Sequence, residues 1–524
     1  MQRCINPHRG TRMRSRILSV LLITTIAGAC IIQKPAIRRV DATQLRQVVI
    51  SPVKVHLKDG STVVYAAGIS REGNDITGRG LQYSIGTREP KAVSRFPLDS
   101  VLGIESYGKD VNVAASVALS LAGTALGVVA AAGAAVAVFG SCPTFYADSA
   151  GTELLQAESF SYAIAPLFEQ RDVDRLRLTP TLDGRIVLHV RNEMLETHYI
   201  NHLELIEASR RADQEIVPDN AGKAITLSNR RIDMAVTDRS GRDLSRSLRS
   251  PDEDVFSTVD ARLASVTAID LDDYIDITFK APDKADSVAV LLDMRNSLLN
   301  TVLLYDHILG APGLASLDYL GKDLEKISNA VDIGRWYAAN MGMRVSVLDG
   351  NSYRRITRIG DSGPIAFHRM AVLVPVVKAK DGLVHVRLSF VADDWRIDQV
   401  AVTSEWKRPA VKRVPVSRVT VSNPAQAQST LSALRQPDES YVITTPGQSF
   451  TVEFDVGAAE TSSRTWMLAS QGYYTEWVRG DWIKNATGKS FQPTNQTLVE
   501  AIRGWRAKQG SMEKMFYSQR IAAR

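Results

Sequence analysis

His198 and His202 stand four residues apart in ETHYINHLELIE and are the first candidates for metal chemistry. On a helix that spacing puts both imidazoles on one face, within reach of a single ion. The surrounding run is apolar and β-branched and reads as a strand, where four residues span about 13 Å. Two ligands each about 2 Å from one ion do not tolerate that separation, so these are read as strand histidines. Asp270, Asp272, Asp273 and Asp276 cluster around YIDITFK. Oxygen-rich loops hold Ca²⁺, and this is the one metal candidate; the EF-hand spacing fails because no glycine stands where the loop must turn. The other reading is a solvated loop and strand edge. Asp393 and Asp394 offer two carboxyl groups beside Trp395. Neighbours in an extended chain point to opposite faces, so they make a poor acid–base pair, and Trp395 is expected in a sandwich core. Tyr473, Tyr474, Trp477 and Trp482 form the densest aromatic group. They are expected either as a ligand or partner surface or as packing between elements.

Cys30 carries a different chemistry. Arg12 to Arg16 form a positive segment, Ile17 to Ile26 a short apolar core, and Ala27-Gly28-Ala29 precede the cysteine. About ten apolar residues are too few to span a bilayer and fit a signal peptide; Met13 would give a shorter version of the same signal. The small residues before Cys30 resemble the lipobox of bacterial lipoproteins, in which the thiol accepts a diacylglycerol. Ile31 in place of aspartate leans towards the outer membrane. Processing removes Cys4 and acylates Cys30, leaving Cys142 and no intrachain disulfide.

No phosphate-binding loop, dinucleotide fingerprint, zinc CxxC pair, HExxH or GxSxG occurs in the 524 residues. No catalytic residue and no cofactor are expected. Hydrophobic residues at 44% and charged residues at 23% are ordinary globular values. The net charge of +6 does not point to nucleic acid, because the first 29 residues hold five arginines and no acid and the remainder carries +1. The basic residues after Arg503 read as a solvated helix face or a contact with anionic head groups.

These groups need elements to position them. Residues 1–29 are expected as the signal peptide and 30–48 as a tether. Residues 49–108 alternate in short strands with an Asp-Gly turn at Asp59-Gly60, the pattern of a small β-barrel or roll. The span 111–140 is uncharged and rich in alanine and glycine. It is read as an apolar helix or hairpin, either crossing a bilayer or self-associating through Gly123, Gly127 and Gly133. The first charges beyond it, Asp148, Glu153 and Glu158, lend no support to a cytoplasmic remainder.

The rest is expected to be antiparallel β-sandwich, jelly-roll-like, with Asp-Gly turns at Gly184, Gly350 and Gly382. It divides into a β-rich domain (141–295), a helical insertion with sandwich strands (296–405), a basic proline-bearing linker (406–436), and a hairpin with C-terminal helices (437–524). Leu498, Ile502 and Trp505 form one apolar stripe, and Gly510 is expected to end that helix. The fold class is therefore mainly β.

SCPTFY (141–146) after the apolar segment, with GYYTEW (472–477), resembles a group of uncharacterised bacterial lipoproteins and envelope proteins. That resemblance implies an envelope location and brings no activity or catalytic residues. The expectation is a lipid-anchored envelope protein with a non-catalytic binding or scaffolding role, facing the periplasm or cell surface. Its partners would be the membrane, through Cys30 and 111–140, and envelope proteins or further copies of itself. The alternatives are a subunit of an oligomeric transport or surface assembly, and a glycan-active hydrolase.

Overall fold

The computed structural model describes residues 33–40, 48–49, 53–57, 61–65, 67–83, 91–111, 143–149, 151–193, 196–252, 254–313, 327–438, 440–444, 448–458, 463–476, 482, 487–488 and 494–518. Cys30, Cys142, Trp477, the signal segment and Gly123, Gly127 and Gly133 lie outside the described residues. Among the described residues no helix is long and apolar enough to cross a membrane.

Residues 33–111 form one antiparallel sheet of eight strands that curls around its own core. Val53, Val55, Val63, Tyr65, Ile76 and Ile104 are fully buried in that core. Gly80 lets the neighbouring ring close in, since a Cβ there would sit 2.6 Å from Tyr65. Residues 33–40 are not a free tether. They pair with the strand Val101–Val111, from Gln33 opposite Val111 to Val40 opposite Ile104. The added strand lies at the sheet edge, where one side needs no ladder partner, and that position accommodates Pro35.

The remainder is two β-sandwiches, one inserted into the other. The first packs a sheet containing Thr144–Ser149, Thr152–Glu158, Arg185–Arg191, Arg418–Thr420 and Ser449–Asp455 against another. The facing sheet is built on the long strands Glu196–Ser209 and Arg464–Glu476. Alternation along Arg185–Arg191 sends Ile186, Leu188 and Val190 inward, each about 99% buried or more. Burying each such side chain contributes about 1.5–3 kcal/mol. The second sandwich packs a five-stranded sheet (Met234–Asp238, Asp272–Phe279, Val384–Val391, Met343–Asp349, Ser352–Ile359) on a three-stranded one (Ser287–Asn296, His368–Pro375, Trp395–Thr403). Trp395 is fully buried between them.

The chain leaves the first sandwich through the hairpin Gln214–Pro218 and Ala224–Ser228. It returns through Trp406–Lys407, which pairs with the second of these strands. Residues 406–436, expected as a linker, therefore carry structure: the strands Val411–Pro415 and Arg418–Thr420 and the helix Ala427–Arg435. Their basic residues are absorbed by ion pairs such as Arg413–Glu204.

Helices cover the junction of the sandwiches. Leu299–Val302 runs into a π-helical turn, Leu303–Ile308, and the helices Ile327–Asn340 and Asn495–Ser518 pack around it. Leu498, Ile502 and Trp505 are fully buried, as their spacing predicts. Gly510 does not end the helix, which continues to Ser518. A glycine inside a helix costs about 1 kcal/mol, less than the packing of this stripe returns.

Candidate functional site

A concentration of buried polar groups lies where three turns converge beside the π-helical turn. Asn296 closes the strand Ser287–Asn296 and is fully buried. Its Oδ1 accepts the backbone N–H groups of Ser362 (2.7 Å) and Gly363 (3.2 Å). Its Nδ2 donates to Asp361 Oδ1 (3.1 Å) and Asp394 Oδ1 (3.3 Å). Asn300 Nδ2 donates to the same Asp394 oxygen at 2.7 Å. The two carboxyl groups stand close enough to influence each other's protonation. Burial, then the Asp361 charge, pushes Asp394 well above the usual carboxylate range. Asp394 Oδ2 has no hydrogen-bond partner, so nothing at that oxygen favours the charged form.

Asp393 points elsewhere, although through a turn and not through the extended backbone that the sequence suggested. It holds a left-handed backbone (φ +66°) at the turn between sheets, a conformation aspartate tolerates better than most residues. Its carboxylate accepts Arg396 Nη1 (2.7 Å) and Nη2 (3.0 Å), Thr258 N (3.1 Å) and the Trp505 indole. Arg396, itself buried, also reaches Glu513 at 2.6 Å. These bonds clamp the C-terminal helix to the second sandwich.

Asp361 opens onto a cavity of about 380 Å³ walled by Tyr162, Phe168, Ile333, Tyr337 and Arg358. Tyr162 comes from the first sandwich and Tyr337 from the helix Ile327–Asn340. The Tyr162 phenol is pushed up by burial and by Asp361, Asp394 and Glu158 nearby. The Arg358 guanidinium donates to the carbonyls of Met341 (2.7 Å) and Tyr337 (3.4 Å) at the helix C-terminus. Glu169, also on the wall, accepts from Asn201 (2.9 Å), Gln471 (3.0 Å) and Tyr441 (2.7 Å).

Behind the cavity, Glu158 is fully buried and accepts the N–H groups of Ile365 (2.7 Å) and Ala366 (2.9 Å). Gly363 (φ +104°) permits this, since a Cβ there would run into Ser161 and lie 2.6 Å from the Glu158 carboxyl group. Replacing Gly363 by alanine is expected to cost about 1–3 kcal/mol, seen as a lower urea midpoint; an unchanged midpoint would show that the loop can move aside.

The other candidates resolve differently. Tyr473 is buried and stacks on Tyr199 with centroids 4.5 Å apart. Tyr474 is fully buried and donates to Ser161 O at 2.9 Å. Trp482 is buried against Tyr305. These three form no ligand or partner surface, because they fill the core and the helix junction.

The four aspartates do not form a loop of free oxygens. Asp270 meets Arg239 and Arg262, Asp272 meets Arg344, and Asp276 takes a bidentate pair from Arg387. Asp273 is buried and accepts from Thr258 at 2.7 Å. His198 and His202 sit on one strand, separated by a β-bulge. His198 bonds Glu196 at 2.7 Å, and burial drives its pKa down to about 3, so the ring is neutral. Among the described residues, Asp148, Glu153 and His189 offer ligand atoms within 4.8 Å of one another. Arg191 already pairs with Glu153 at 2.5 Å, which supplies the cation there.

Asp361, Asn296, Tyr162 and Tyr337 were not singled out by the sequence. The one available signal was Arg358-Ile359-Gly360-Asp361-Ser362-Gly363, an acid between two glycines straight after a strand.

No protein-family model matches this chain, and no curated protein matches it. Among solved structures, a mutant VP2 protein of infectious bursal disease virus aligns over 93% of this chain and 91% of its own, with 10% identity. Its TM-score of 0.12 carries no argument.

Proposed function

We propose that this chain is a lipid-anchored bacterial cell-envelope protein, attached through Cys30, whose mainly β body binds or scaffolds rather than catalyses. The binding site in this reading is the Asp361 cavity. The observation that carries it is the arrangement of the acid pair. Asp361 reaches the cavity wall, while Asp394 stands behind it, fully buried and fixed by two asparagines. Glycoside hydrolysis needs two carboxyl groups about 5–10 Å apart, both facing the sugar. Of this pair only Asp361 lines the cavity, and the other acid on the wall, Glu169, is taken up by three donors, which suits recognition. The glycine and alanine of the neighbouring helix face, Gly334 and Ala338, keep the cavity open.

The signal segment and the resemblance of SCPTFY and GYYTEW to bacterial lipoproteins support the envelope location, at the outer membrane facing the periplasm or cell surface. The test of the anchor is the Cys30→Ser variant in the native host. It is expected to remain unprocessed, longer than the mature wild type by its signal peptide, and to lack the acyl mass that the wild-type N-terminal peptide carries. A wild-type N-terminus upstream of Cys30 without fatty acyl groups would overturn the reading.

A further inference from the structure

We propose that the Asp361 cavity takes a primary ammonium group carried on an apolar body, the ammonium meeting Asp361 and the body lying between Phe168, Ile333 and Tyr337. This rests on the cavity being a binding site. Its lining combines apolar side chains, Ile164, Phe168, Leu304 and Ile333, with a few polar groups, among them Asp361, Glu169 and Tyr162. A ligand matched to that lining is an amphiphile with one polar head. At about 380 Å³ the space falls within the range of small-molecule sites.

The sign of the head group follows from the charges around it. Asp361 and Glu169 line the cavity, and Glu158 stands close behind, against one guanidinium on the wall. That guanidinium, Arg358, is turned onto helix C-terminal carbonyls, where the helix dipole already favours a cation. The nearby His368 is matched by Asp174, at 2.6 Å, and by Asp172. The remaining field is negative and disfavours an anion. The phenol rings of Tyr162 and Tyr337 add faces that attract an ammonium. A sugar would require several uncommitted acceptors, whereas Glu169 already receives three donors.

The test is calorimetry on the full-length, detergent-solubilised protein with two probes of one shape, the phenethylammonium ion and neutral 2-phenylethanol. Wild type is expected to bind the ammonium at least about tenfold more tightly, the scale of one charge-assisted hydrogen bond. Asp361→Asn keeps an Oδ1 acceptor for Asn296 and is expected to reduce the preference below about twofold. Ala338→Trp, on the exposed helix face at the cavity mouth, is expected to block both probes. Equal binding of the two probes to wild type would end the ammonium assignment and leave the binding cavity intact. Binding of neither would end both. Binding that survives Ala338→Trp would place the site elsewhere.

Discussion

Replacing Asp393 by alanine is expected to cost about 3–5 kcal/mol, the loss that follows when one partner of a buried ion pair is removed. Arg396 would keep Glu513 but lose both bonds from its guanidinium to Asp393, at 2.7 and 3.0 Å. The Trp505 indole would lose its acceptor. Alanine would also have to hold a φ of +66°, worth about 1 kcal/mol more. Asp393→Asn separates the contributions, because it tolerates the backbone and removes the charge. Its cost should fall between wild type and alanine. Urea unfolding followed by near-ultraviolet circular dichroism, which reads the buried Trp395 and Trp505, measures both. A loss below about 1 kcal/mol for the alanine variant would mean that apolar packing alone holds the C-terminal helix.

Raising the pH from 6.5 through 9 is expected to weaken the joint between the sandwiches. His368, on the second sandwich, bonds Asp174 of the first at 2.6 Å. Burial alone would lower its pKa, but the charge and hydrogen bond of Asp174, with Asp172 behind, raise it to about 9. A raised histidine stabilises the fold fully below its unfolded pKa, and the gain is lost as pH climbs through the folded value. Two to three units correspond to about 3 kcal/mol. Asp172 acts in a lower window. Burial and Asp174 raise it to about 6, partly offset by the Phe160 N–H, so stability also falls between about pH 4 and 6. His368→Gln is expected to abolish the slope above pH 6.5 and to move the lower one upward, because the His368 charge no longer favours ionised Asp172. Parallel stability curves for variant and wild type between pH 6.5 and 9 would refute this account.

The same joint holds a second set of charges. Arg369 reaches Glu215 at 2.5 Å, Asp293 at 3.2 Å and Gln399 at 2.7 Å, and Arg175 and Arg231 also meet Glu215. These arginines stay charged across the pH range considered, so the joint is expected to loosen on deprotonation of His368 without coming apart.

Local chemistry was the legible part of the sequence. Gly350 turns at φ +65° between two paired strands, as Asp-Gly predicts. Gly382 turns equally well at φ +77°, yet its flanking strands belong to different sheets. A turn fixes the reversal of the chain, and period-two alternation fixes the buried face; neither names the partner strand. The divergence of Asp393 and Asp394 was expected from an extended chain, but it arises from the left-handed turn at Asp393. The pairing of Asp394 with Asp361 was not legible, because it arises only when the end of one strand, a glycine-flanked loop and a turn between sheets meet at Asn296. The aromatic group was visible as a group, but burial depends on tertiary neighbours such as Tyr199 and Tyr305 that spacing cannot supply. Residues 406–436 read as a linker because edge strands with outward charges look like solvent-facing loops.

The insertion of one sandwich within the other has a kinetic consequence. Arg185 and Glu453 lie on paired strands of the outer sandwich yet are 268 residues apart. A chain emerging from its N-terminus has every strand of the inner sandwich before it has the partners the outer one requires. Such distant closure is slow, so the outer half should wait with open hydrogen-bonding edges until the inner half has drawn its ends together at Ser228 and Glu405, 2.9 Å apart across the chain crossing. That interval is when the nascent protein is most exposed to mispairing, and it is where a holding chaperone would act.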